Sequence, residues 1–375
     1  MEEEKIKQLI KRHEEYKLSG INLIASENKI SSIALEALAS DLAGRYCDNE
    51  WYGGCKYADE ICSKAEEIAK KLFNAKYAFI TPLSGNICDL AIIFSFTKAG
   101  DFIAGIPKEH GGYPFGYEKF ERKLYPLPMN EYFIDERRLK DIEENFPLVL
   151  IASSIILFPH PLNSIAAKFN GIIAYDASHV LGLIAGKKFQ EPLKEGCHVM
   201  IGSTHKSFPG PQGGIVVTNN EEVADKIAKY LLFDFEEGIG LIDNPHVHRI
   251  ACLGIVMEEM LLHGKEYAEQ IVRNAKHLAK CLDDLGVPVK YAERGYTESH
   301  QILLDLGSDE AAEFYKKLEK NRIFIDCIGR IGVAEATYIG MKENEMEKIA
   351  HMMADVYKGK SIKEKAIKMA MKFYQ

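Results

Sequence analysis

The chain has 375 residues, of which 47% are hydrophobic and 27% charged, and 47 Lys+Arg against 55 Asp+Glu leave a formal net charge of −8. These are globular values, and the length suits two or three domains. The mild acidity excludes a broad nucleic-acid-binding face but allows a local anion pocket.

In chain order, the first 17 residues read as an amphipathic helix, with Ile6, Leu9 and Ile10 set among charges. The same stretch has no apolar h-region, so a cytoplasmic protein without a secretory signal is expected. A second helix is expected over 32–42, a Gly- and aromatic-rich exposed loop over 44–57, and a third helix over 59–73. From residue 77 short apolar runs alternate with helical or loop segments: strands at 77–81, 101–106, 148–152, 171–175, 198–202 and 214–218, with a helix at 86–97. That alternation specifies an α/β fold with a mostly parallel central sheet and helices on both faces. After residue 251 a long amphipathic helix runs to 284, followed by a strand at 301–306, a helix at 309–321 and two terminal helices. This change of texture predicts a smaller C-terminal α+β domain. The expected division is 1–40, 41–265 and 266–375.

No stretch approaches the ~20 apolar residues of a membrane-spanning helix. The most apolar run, 149–158, is broken by Ser153 and Ser154 and reads as a buried strand. The eight cysteines (47, 55, 62, 88, 197, 252, 281 and 327) include no CxxC pair, so reduced thiols acting as small hydrophobes are expected, with no metal role.

The chemistry starts at Lys206, which follows a predicted strand in a loop rich in Gly and Pro (202–214). A strand-end lysine is usually a solvated cation, but one whose pKa is lowered by burial and neighbours can form a Schiff base. Ser203, Thr204 and His205 before it offer two hydroxyls and an imidazole to an anion. Thirty residues upstream, Asp176 ends another strand, three residues before His179. An Asp facing a pyridine nitrogen and a Lys facing an aldehyde is the arrangement pyridoxal phosphate requires; capping the next helix is the plainer role for Asp176. Ser84, Gly85 and Asn86 fall between a strand and a helix, where free N–H groups could cradle a phosphate or simply form an N-cap. His110 precedes two glycines in a turn and could stack on a flat ring, or be an ordinary loop histidine.

In this order the residues resemble the serine hydroxymethyltransferases, pyridoxal-phosphate enzymes of the aspartate-aminotransferase fold (fold type I). The matching segments are Leu-Ile-Ala-Ser-Glu-Asn (23–28), Arg-Tyr-Cys-Asp (45–48), Tyr-Gly-Gly-Cys-Lys-Tyr-Ala-Asp (52–59), Leu-Ser-Gly (83–85), His-Gly-Gly (110–112), Asp-Ala-Ser-His (176–179), Thr-His-Lys (204–206), Gly-Pro-Gln-Gly-Gly (210–214) and Arg-Ile-Gly (330–332), with weaker echoes at 245–251 and 297–300. The resemblance implies that Lys206 carries the cofactor, Asp176 pairs with the ring nitrogen, His110 stacks on the ring and His179 lies near its phenolic oxygen. It implies that Ser84, Gly85, Asn86, Ser203 and His205 hold the phosphate, with Tyr46 reaching it from a partner subunit. Arg330, helped by Ser26 and by Tyr52 of the other subunit, would grip the substrate carboxylate. Asp48 stands where the family has a glutamate that handles the hydroxymethyl proton. A homodimer with shared active sites follows, the N-terminal helical segment contributing to its contact, residues 41–265 forming the large cofactor-binding domain and 266–375 the small one.

The sequence also departs from the family. The loop between Tyr46 and Tyr52 is about four residues shorter, and the pterin-contacting loop before the carboxylate arginine is trimmed. The family's arginine in Gly-Pro-Arg-Gly-Gly is Gln212, its Thr-Arg-Gly is Tyr338-Ile-Gly, and its Gly-Gly phosphate contact falls near Asp243 and Asn244. Cofactor and carboxylate residues remain while elements for a large one-carbon carrier are reduced, so a lost or altered pterin site is expected. The expected function is making or breaking the Cα–Cβ bond of a small 3-hydroxy amino acid, as serine/glycine interconversion or folate-independent retro-aldol cleavage. The competing expectations are β-elimination, racemisation or decarboxylation on the same cofactor, and a non-catalytic scaffold.

Overall fold

The computed structural model describes residues 5–374 apart from 49, 235 and 237. Packing divides the chain into two compact units, one of Ile30–Ala268 and one of Met1–Lys29 with Glu269–Gln375.

The larger unit is built on seven strands: β1 (Tyr77–Phe79), β2 (Phe102–Gly105), β3 (Lys123–Pro126), β4 (Leu148–Ala152), β5 (Ile172–Asp176), β6 (Val199–Ser203) and β7 (Gly214–Thr218). They lie in the order β1-β7-β6-β5-β4-β2-β3. β3, β2, β4, β5 and β6 run parallel, while β7 is antiparallel to both β6 and β1. All five residues of β4, of β6 and of β7 are buried, which is why their sequences are unbroken apolar or small-residue runs. β3 is the exception: an edge strand with no buried residue, it lacks an apolar run and its sequence did not announce it.

Helix Gly85–Phe96 is apolar nearly all round and buries Cys88, Leu90, Ala91, Ile92 and Ile93 against the sheet. Helix Glu221–Leu231 is started by the Asn220 side chain, which accepts from Val223 N, and has Glu221 and Glu222 in its first turn. Helix Lys56–Phe73 ends with Lys70 and Lys71 in the last turn and Asn74 in the left-handed region. The second expected helix is shorter than predicted, Ser32–Leu38, with a 3₁₀ turn at Asp41–Gly44.

In the other unit, residues far apart in sequence pair directly. Ile21–Asn22 lies parallel to Ile323–Phe324, and Gln301–Leu303 antiparallel to Arg330–Gly332. Helices Ser308–Lys320, Glu343–Tyr357 and Lys363–Phe373 complete it. A buried polar knot ties its two ends: Asn22 Nδ2 donates to Glu335 at 2.6 Å, and the Tyr374 hydroxyl donates to the other carboxylate oxygen. Helix Ile6–Leu18 forms as its period predicts but has no buried residue, and Ile6 is 77% exposed. Among the described residues no helix is long and apolar enough to cross a membrane.

Candidate active site

In a parallel sheet the ligand crevice lies beyond the carboxyl ends of the strands. His110 follows β2 there, Ser153 follows β4, Asp176 ends β5 and Ser203 ends β6. Asp176 is buried, and its Oδ1 accepts from Ser178 N at 2.8 Å. Ser178 Oγ in turn accepts from Ser203 N at 2.8 Å, so one serine locks the ends of β5 and β6 together. Burial pushes the Asp176 carboxyl up, while the Lys206 ammonium and the Ser178 hydrogen bonds pull it back. His179 is buried just beyond, before the helix Leu181–Ala185.

Lys206 sits in the loop from β6 to β7. Thr204 N donates to Gly213 O at 3.1 Å and Thr204 Oγ1 to Pro211 O at 2.6 Å, closing the loop on itself. Ser207 is held on both sides, its Oγ accepting from Gly182 N and its carbonyl from the Tyr267 hydroxyl at 3.0 Å. His205 has a buried Nδ1 without a hydrogen-bond partner. Burial first, and Lys206 second, push its pKa down to about 4, so the imidazole is neutral at pH 7.

Ser84 caps the helix Gly85–Phe96, accepting from Ile87 N at 3.2 Å. Helix geometry leaves the Gly85 and Asn86 N–H groups without intrahelical acceptors. A Cβ at Gly85 would lie 2.4 Å from Ser203 Oγ and 3.1 Å from Ser178 Oγ, so the helix start can approach the strand ends only as glycine. Asn86 Oδ1 accepts from the Tyr113 hydroxyl at 3.3 Å, and His110 Nδ1 donates to the Glu131 carbonyl at 2.6 Å. Gly112 bridges to Ser153, bringing the His110 turn to the same edge. Two free N–H groups, a serine pair, an unpartnered imidazole nitrogen, a buried carboxyl and a lysine therefore converge, and they fit a phosphate-bearing pyridine.

Tyr46, Asp48 and Tyr52 lie elsewhere. With Cys47, Asp59, Phe233, Asp243 and others they line a cavity of about 550 Å³ that includes none of residues 84–86, 110, 176 or 203–206. Tyr46 and Tyr52 stack on each other with ring centroids 5.1 Å apart. Asp48 holds φ of 97°, its N–H donating to Asp59 Oδ1 at 2.6 Å. Arg330 and Ser26 belong to the other unit. There Gly332 N donates to Leu23 O, and a Cβ at Gly332 would touch Ala25, which sets Ser26 beside the Arg330–Gly332 strand. The Arg330 guanidinium is buried and its Nε donates to Asp326 Oδ2 at 2.7 Å.

Four residues of these neighbourhoods went unremarked in the sequence. Ser178 lies inside Asp-Ala-Ser-His (176–179), and Asp326 stands four residues before Arg330. Arg249, buried, donates to the carbonyls of Ile80 and Thr81 ahead of the Ser84 turn. Asp89 left the plainest signal, a lone acid in the apolar run Ile87-Cys-Asp-Leu-Ala-Ile-Ile93.

Fold and site together define a pyridoxal-phosphate enzyme of fold type I, of the hydroxymethyltransferase/aldolase type. The family model for serine hydroxymethyltransferase matches residues 1–353. A serine hydroxymethyltransferase of Methanothermobacter marburgensis is 40% identical over 96% of this chain and 92% of its own, and one of Methanocaldococcus jannaschii is 38% identical over 95% and 90%. Among solved structures, the L-threonine transaldolase of Pseudomonas fluorescens superposes with a TM-score of 0.88 at 26% identity, covering 99% of this chain and 90% of that one. The chain belongs to the serine hydroxymethyltransferase family.

Proposed function

We propose that the chain makes or breaks the Cα–Cβ bond of a small 3-hydroxy amino acid, interconverting serine and glycine or releasing glycine and an aldehyde without a folate. The observation that carries this reading is the convergence of Lys206, Asp176 and the Gly85 cradle at one sheet edge, in a chain of this family. Bound there, pyridoxal phosphate supplies a ring that takes up the electron pair left on Cα.

The chain's own groups do the rest. Lys206 supplies the primary amine for the cofactor's aldehyde. Asp176 would hold a proton at the ring nitrogen, with His110 to cover one ring face and His179 to stand by the phenolic oxygen. Ser84, Gly85, Asn86, Ser203 and neutral His205 bind the phosphate, the histidine as donor through a nitrogen that no protein group occupies. Arg330 and Ser26 take the substrate carboxylate, Asp326 fixing the guanidinium plane from the Nε side. Asp48 moves the hydroxyl proton, with Tyr52 beside it. Tyr46, Asp48 and Tyr52 act in a partner's site, so the working species is a homodimer. Two features support this: their cavity includes none of residues 84–86, 110, 176 or 203–206, and among the described residues eleven of the nineteen exposed large hydrophobics lie between Ile6 and Tyr57.

A single panel tests the function. Purified protein with L-serine, L-threonine and allo-threonine, with and without tetrahydrofolate or another pterin, should release glycine. Pterin-independent aldehyde release supports the retro-aldol branch, which the similarity to a transaldolase favours. Strong dependence on a pterin selects hydroxymethyl transfer, and products of elimination, racemisation or decarboxylation overturn the proposal.

A further inference from the structure

Asp89 is the one charged residue of helix Gly85–Phe96. It is 1% exposed, and its Oδ1 has no hydrogen-bond partner. Side chains four apart on a helix share a face. Asp89 therefore lies one turn along the face that Gly85 turns to Ser203 and Ser178, the serine whose N–H binds Asp176. The adjacent face goes elsewhere: Cys88 meets Gly214 of β7.

The helix packs on β5, β6, β7 and helix Glu221–Leu231. Helix Glu221–Leu231 buries only Val223, Ala224, Ile227 and Leu231, and β6 and β7 carry no titratable side chain. β5 contributes Tyr175 and Asp176. The charged groups that act on Asp89 are Asp176 and, beyond β6, Lys206, while Cys88, Tyr113 and Tyr117 feel its charge in turn. Burial pushes Asp89 well above the ordinary carboxylate range, Asp176 adds to that, and Lys206 opposes it. Asp176 is differently placed, since Ser178 hydrogen bonds favour its charged form. Two buried carboxyls that feel each other's charge cannot both ionise cheaply, and the one with donors around it keeps the charge.

We propose that Asp89 is the protonated member of a carboxyl pair with Asp176, holding its proton in the folded protein so that Asp176 alone presents negative charge to the cofactor ring. Asp89 is a positioning residue, acting through Asp176. The second half rests on the reading of Asp176 as the cofactor's acid; the first half needs no cofactor.

The test uses Asp89→Asn, which keeps the shape and fixes the group neutral. The cofactor-free protein is unfolded in urea across the range from about pH 5 to 8. An acid neutral in the fold and ionised in the unfolded chain costs the fold one proton's worth of stability as pH rises, so the unfolding constant of wild type relative to Asp89→Asn should grow about tenfold per pH unit. A ratio flat with pH overturns the proposal. Should the variant fail to fold, infrared spectra of wild type decide: a buried protonated-carboxyl C=O band must persist at neutral pH and survive Asp176→Asn, and its absence, or its loss in that variant, overturns the assignment. Pyridoxal phosphate titration then reads the second half. Asp176→Asn should weaken binding about tenfold more than Asp89→Asn does, and the reverse order places the charge on Asp89. Wild-type protein that takes up no pyridoxal phosphate refutes the cofactor role of Asp176 and leaves the unfolding result standing.

Discussion

Two segments of the larger unit carry the lysine and the acid on which the proposed function turns, and they are built oppositely. The loop from β6 to β7 is closed by its own hydrogen bonds, and Thr204 and Ser207 are fully buried. The segment from Tyr46 to Tyr57 keeps Trp51 61% and Tyr57 70% exposed, and sets Asp48 at a φ that favours glycine. The first loop is also fastened from outside, at Ser207, by Gly182 and Tyr267. The second bears an acid and stacked tyrosines on an open cavity, the condition expected of groups that serve a site on another subunit. The difference teaches that one chain can lock the loop bearing its lysine while leaving the segment bearing Asp48 open to solvent.

The strongest attempt to break that contrast removes one member of each loop. Lys206→Ala should lower turnover roughly 10³-fold or more, the scale of losing a nucleophile that works as part of a unit, and borohydride should no longer lock cofactor to the chain. Asp48→Asn should lower turnover by about 10²- to 10⁴-fold with the cofactor's absorbance intact. Mixing the two inactive variants under subunit exchange should restore about a quarter of wild-type activity, because half the dimers are mixed and each has one complete site. Zero recovery would mean that each chain completes its own site.

A smaller effect sharpens the cofactor side. Gly85→Ala puts a methyl 2.4 Å from Ser203 Oγ, and overpacking of this kind costs about 1–3 kcal/mol. Calorimetry should show a lower Tm, and titration a weaker hold on pyridoxal phosphate. Asp48→Gly should show the opposite balance: relief of about 1 kcal/mol of backbone strain, giving a Tm no lower than wild type, while turnover falls as in Asp48→Asn.

The effect narrowest in its conditions is with pH. His205 is neutral in the fold, with a pKa of about 4 against an ordinary 6.5. The unfolded chain therefore binds the extra proton first, and this contribution to stability, complete above pH 6.5, is lost as pH falls from there towards 4. In the cofactor-free protein, His205→Gln should flatten the acid limb of Tm against pH. An unchanged limb would mean that His205 is solvated.

How much of this the sequence disclosed follows from burial. β4 and β7 were predicted to the residue because both are buried throughout, so every position is apolar or small. β3 was invisible because an edge strand with no fully buried residue carries no such pattern. The pairing of Ile21 with Ile323 has no local signature, since the contact is three hundred residues away in sequence. Lys206, Asp176 and Gly85 stood out in the sequence as residue types that a phosphate and a pyridine demand, and their elements end at the same edge of the sheet. Asp326 and Ser178 did not, because their work is to hold another side chain, and a short polar residue beside a functional one looks the same whether it holds it or merely separates it.

The antiparallel setting of β7 has a kinetic meaning. Gly214 pairs with Ser203, so Lys206 rides on a hairpin whose two arms are laddered to each other and to further strands, β5 on one side and β1 on the other. Unfolding the hairpin beneath the lysine would require parting a ladder in the interior of a seven-stranded sheet, which belongs to the slowest openings a domain makes. Amide hydrogens of β6 and β7 should be among the last to exchange whether or not cofactor is bound. Removing and restoring the cofactor should leave that exchange pattern unchanged.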